Sequence, residues 1–122
     1  MAKSQINFGE LGGGGVQSDL IWENDGTNFS PSAYVSVPNL SDYTYLIFEG
    51  IYSTSYPTHI GYAMWYKDGN QNDSVTLKLV TDETSRDIAV QPSNNRFQWG
   101  STAANRSIPQ KVYGIKEDFL NN

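Results

Sequence analysis

The chain has 122 residues, a net charge of −5, eight tyrosines, three tryptophans, five phenylalanines and no cysteine. That length predicts one domain able to bury about two-thirds of its extended surface, and without thiols it can have neither disulfides nor thiolate metal sites. All of the net negative charge falls within residues 1–66, and no basic stripe marks a nucleic-acid footprint.

No run reaches the roughly 18 apolar residues of a membrane span. Met1-Ala2-Lys3-Ser4-Gln5 also lacks the apolar core of a secretory leader. Synthesis in a cytoplasm, with no membrane partner, is the expectation.

Residues 1–15 stand apart as an arm and tether. Ile6, Phe8 and Leu11 precede Gly12-Gly13-Gly14-Gly15, and four glycines give maximal backbone freedom while packing nothing. The segment reads either as a disordered tail or as an apolar peptide that docks on another protein. In the second reading Ile6, Phe8 and Leu11 are the anchoring residues.

Residues 16–122 read as one β-sandwich domain, because short alternating runs are separated by turn residues. Asp19–Trp22 is a first strand, and Ala33–Val37 a second, ended by Pro38. Tyr43–Tyr52 is the longest apolar run: Tyr45, Ile47, Glu49 and Ile51 share one face, and Leu46, Phe48 and Tyr52 the other. A strand apolar on both faces is central and covered on both sides, or borders a partner chain. Ile60–Tyr66 follows, and Asp68-Gly69 signals a hairpin into the strand carrying Val75, Leu77 and Leu79. Shorter strands are expected at Asp87–Val90 and Arg96–Trp99, and a closing strand at Lys111–Lys116. Pro109 has no amide donor and belongs at a strand's first position or edge, while Gly114 suggests a bulge or a close approach. The fold class is all-β, an antiparallel, jelly-roll-like sandwich of about eight strands with an extended N-terminal arm.

Candidate chemistry is sparse. His59, the sole histidine, follows Pro57-Thr58 at a strand start, where a solvated or hydrogen-bonded structural role is expected. No Gly-x-Ser-x-Gly elbow is present, and Glu23, Asp25 and Glu49 stand without any motif around a glycosidase-type pair. Asp68–Asp73 begins like a calcium loop but has Asp73 and Leu79 where glycine and glutamate belong, so it reads as a turn. No catalytic residue, metal ligand or cofactor is assigned, and the chain is not expected to be an enzyme. The aromatic residues carry the better functional reading. Tyr52, Tyr56, His59, Trp65 and Tyr66 flank one loop and one strand and suit stacking on sugar rings; the competing reading places most of them in the core.

Five short stretches carry a resemblance in the right order. Ile108-Pro109-Gln110-Lys111-Val112-Tyr113-Gly114-Ile115-Lys116 resembles the ending of the C-terminal β domain of tail, tail-fibre and minor structural proteins of phages and prophages of Gram-positive hosts. Leu20-Ile21-Trp22-Glu23-Asn24 is similar to that family's opening, and Phe29-Ser30-Pro31-Ser32-Ala33, Leu40-Ser41-Asp42-Tyr43 and Tyr52-Ser53-Thr54 to later pieces. The resemblance spans residues 19–116, although Asp25 stands where the family has proline and the middle third matches poorly. It implies a virion structural protein made in a bacterial cytoplasm, at a tail tip or tail fibre. It further implies contact with other phage structural proteins and host surface glycans, and assembly as a homotrimer. The alternative is a capsid-decorating or head-fibre protein that binds only other virion subunits.

Overall fold

The computed structural model describes residues 17–24, 34–67, 74–101 and 106–118. Their alternating apolar runs form eight strands: β1 (Ser18–Glu23), β2 (Val35–Ser36), β3 (Tyr45–Ser53), β4 (Tyr56–Tyr66), β5 (Val75–Thr81), β6 (Thr84–Gln91), β7 (Arg96–Trp99) and β8 (Ile108–Ile115). They build two four-stranded antiparallel sheets, in the orders β1-β8-β3-β4 and β2-β7-β6-β5. The chain is therefore an all-β sandwich. Its first strand pairs with its last and its second with its last but one, the nesting of a jelly roll, while β3–β4, β5–β6 and β6–β7 pair with chain neighbours.

Period-two alternation decides which side chains meet between the sheets. Leu46 and Phe48 of β3, Ala63 and Trp65 of β4 and Val112 of β8 face Leu79, Ile88, Val90, Phe97 and Trp99 of the second sheet. Phe48, Phe97 and Trp99 meet edge to face, with centroids 5.4–5.8 Å apart, the geometry the ring quadrupoles favour. Trp22 joins them from β1, 5.3 Å from Trp99.

β8 lies inside its sheet and starts three residues earlier than the sequence suggests. Pro109 cannot donate, but its carbonyl accepts from the side chain of Asn24 at 3.0 Å. The register slips between Glu49 and Gly50, leaving Gln110 as the extra residue of a bulge. Gly114 is not that bulge: a Cβ there would lie 2.6 Å from the Tyr43 ring, so the glycine makes room for the ring. The strands flanking Asp68-Gly69 are likewise not partners in one ladder, since β4 and β5 edge opposite sheets.

β3 is central, as its two apolar faces imply. Its outer face buries Tyr45, Ile47 and Glu49, with Ile115 beside them and Tyr62, Tyr66 and Tyr113 packed around. Asp118 accepts hydrogen bonds from the hydroxyls of Tyr45 and Tyr66. Burial, and then the charge of Glu49, pushes the Tyr113 hydroxyl up to about 12. One register row across this face reads Leu20, Tyr113, Ile47, Met64, and its two ends, Leu20 and Met64, are exposed.

Candidate functional site

One end of the sandwich brings together the β3–β4 turn, the β5–β6 turn and the entry to β8, and Arg86 organises it. Arg86 is 3 % exposed, and burial lowers its pKa below the ordinary guanidinium value. Its planar fork donates through Nε to the Ser107 carbonyl at 2.7 Å, through Nη1 to the Gly100 carbonyl at 2.5 Å and through Nη2 to the Arg106 carbonyl at 3.1 Å. An arginine presents several donors in one plane, so it can fix a returning loop in a way a single-point cation cannot. Ser107, held at φ 45°, shares its hydroxyl with Thr81 at 2.6 Å and Thr84 at 2.7 Å. Its amide donates to the Tyr52 carbonyl at 3.0 Å, which ties the loop to β3.

Three rings sit above this polar base. Tyr52 and Tyr56 lie 5.8 Å apart, Tyr52 and His59 6.1 Å, and Tyr56 and His59 5.1 Å. The Arg106 guanidinium lies 5.2 Å from the Tyr52 centroid, within cation–π range. His59 Nδ1 stands 2.9 Å from Asp82 Oδ2, and the two side chains are 43 % and 42 % exposed. In the neutral tautomer this contact selects, Nδ1–H donates to the carboxylate and Nε2 is left as an acceptor. Asp82 reaches this position because its φ of 59° places it in the tight turn between Thr81 and Thr84. Asp82 is the one hydrogen-bond partner of His59 among the described residues.

Of the five candidate sugar-contacting residues, the structure brings Tyr52, Tyr56 and His59 together and separates the other two. Trp65 is 2 % exposed and belongs to the core between the sheets. Trp65 is therefore a core residue and not the sugar-stacking one its sequence position suggests, because its strand position points inward. Tyr66, its neighbour, points the opposite way and stacks on Tyr45 at 5.1 Å on the outer face of the first sheet. Ile6, Phe8 and Leu11 lie outside the described residues. Sequence reasoning missed Asp82, Arg86, Arg106 and Ser107. The one local signal was the two-residue Asp82-Glu83 turn between Thr81 and Thr84. Among the described residues no three His, Asp or Glu side chains gather as a metal-holding group.

No known family matches the chain, and neither the curated proteins nor the solved structures contain a significant match to it.

Proposed function

We propose that this protein is a non-enzymatic virion component of a phage or prophage, a tail-tip or tail-fibre accessory part that presents the Tyr52–Tyr56–His59 end of its sandwich to a host-surface glycan. The observation that carries the glycan part is the exposed ring cluster backed by the His59–Asp82 pair. Aromatic faces bind the apolar side of a sugar ring, while the adjoining acceptors meet its hydroxyls. The virion part rests on the resemblance of residues 19–116 to phage structural domains. In this reading residues 1–11 anchor the protein to the particle through Ile6, Phe8 and Leu11, and the domain projects outward as a trimer. Labelled antibody on intact particles should decorate the tail, and purified protein should bind host cell walls without releasing reducing ends. Particles assembled with a chain starting at Val16 should lack the protein, while that chain still folds in solution. Decoration of the head, with no wall binding, would overturn this reading.

A specific observation favours the second reading, a capsid-decorating or head-fibre protein. The Leu20–Tyr113–Ile47–Met64 row exposes apolar side chains at its two ends, Leu20 and Met64, on an outer sheet face, which suits contact with another protein subunit.

A further inference from the structure

We infer, on the glycan reading above, that the sandwich tip takes a single neutral pyranose rather than an extended chain. A site for an extended chain needs several ring faces in one plane, spaced along the chain's run. Here the three rings are neighbours, with centroids 5.1–6.1 Å apart, and are tilted to one another by 26–49°. They contact each other instead of forming a shared floor.

Of the two exposed rings, Tyr56 and His59, Tyr56 offers the larger apolar face. Tyr52 is half-buried and covered by Arg106 and its two ring neighbours. Tyr56 is 51 % exposed. It is the stacking residue, and Tyr52 is its support. A ligand resting on Tyr56 has His59 and Asp82 at its edge, because the Tyr56–His59 centroids are 5.1 Å apart and His59 holds Asp82 at 2.9 Å.

Charge sets the ligand class. Asp82 Oδ2 is engaged by His59, which leaves Oδ1 and, in the neutral ring, His59 Nε2 as acceptors that hydroxyl donors satisfy. Asp82 and the adjoining Glu83 are exposed, whereas Arg86 is buried with its fork committed to three carbonyls and Arg106 lies over Tyr52, so a carboxylated or phosphorylated sugar meets exposed carboxylates there. The ligand is a neutral hydroxyl-rich ring at a chain end or branch.

The test is an NMR titration of the full chain with methyl pyranosides of glucose, galactose, mannose and N-acetylglucosamine, followed by their di-, tri- and tetrasaccharides. At least one methyl pyranoside should shift the His59 ring protons, and its oligomers should bind within about threefold of it. Tyr56→Ala should weaken binding about tenfold or more with an unchanged melting curve, while Tyr56→Phe retains most of the affinity. Affinity rising tenfold with each added sugar would overturn the single-ring inference and leave the glycan reading standing. Tighter binding of the corresponding uronoside or sugar phosphate would overturn the neutral class alone. A panel that shifts no resonance overturns the glycan reading and this inference together.

Discussion

A Cβ added to Gly61 would lie 1.9 Å from the carbonyl oxygen of Val80. The edge strands β4 and β5 of opposite sheets thus approach there with their backbones nearly touching, which closes one side of the sandwich. No side chain larger than hydrogen fits, and the obstructing atom is main chain that cannot rotate away. Gly61→Ala should therefore cost about 2–3 kcal/mol, the upper part of the usual overpacking range, read as a lowered midpoint in urea. An unchanged midpoint would mean that the two edges part freely.

Arg86 holds three carbonyls of the returning loop with one planar group. Arg86→Lys keeps the charge and loses the fork, so at least one carbonyl loses its partner in a buried setting. A loss of about 2–4 kcal/mol is expected from the charged hydrogen bonds involved. Denaturation at neutral pH measures it, and a lysine variant as stable as the parent would show that a point charge suffices.

Alkaline pH should destabilise the protein through two tyrosines. Burial, and then the hydrogen bond to Asp19, pushes the Tyr43 hydroxyl up to about 12, and Tyr113 is raised to the same range. In the unfolded chain both titrate near 10. Below pH 10 each is protonated in both states and its contribution is intact. Between pH 10 and 12 the unfolded chain binds fewer protons than the native one, so stability falls as pH rises. Tyr43→Phe and Tyr113→Phe should each flatten the decline between pH 10 and 12 in denaturation series, and a slope unchanged in both variants would refute the assignment.

Removing Pro109–Asn122 takes away β8, which pairs with β1 on one side and β3 on the other. It also removes the buried side chains of Val112 and Ile115. Two ladders and that apolar surface amount to several kcal/mol against a typical stability of about 5–15 kcal/mol. Circular dichroism should show an unfolded chain, and a cooperative melt like that of the full protein would contradict the topology.

Association should respond to the outer face of the first sheet. If subunits meet there, Met64→Lys places a charge at one end of the Leu20–Tyr113–Ile47–Met64 row and shifts a trimer toward monomer without lowering the melting temperature, since Met64 is exposed. Light scattering that shows one 13.6 kDa species for the parent across micromolar concentrations would count against the trimer.

Alternation made most strands legible. Val75, Leu77 and Leu79 mark β5, and Tyr45 to Tyr52 announce a strand with two apolar faces. Alternation does not say which face looks inward, and there the site reading failed in part. Trp65 and Tyr66 are adjacent on β4 and so point to opposite faces; no extended strand could bring both to one sugar. The convergence of Tyr52, Tyr56 and His59 was legible because a tight hairpin keeps its flanks together. Arg86 was not. It occupies an inward position in line with Ile88 and Val90, and its role depends on carbonyls of Gly100, Arg106 and Ser107 that only the tertiary fold brings near. Asp82 was hidden for the same reason, since its partner His59 lies on a strand of the other sheet.

The place of β8 between β1 and β3 has a consequence for how the chain matures. During synthesis β3 can zip to β4 at once, but its other flank waits until nearly half the chain has followed. Over that interval the backbone donors and acceptors of β1 and β3 on that side stay unpaired beside the apolar side chains of β3, a surface prone to pairing with another nascent copy. Closure of the sandwich is then a late, long-range step, slow by the measure of its sequence separation. The delay makes the spacing of ribosomes and the supply of holding chaperones determinants of yield.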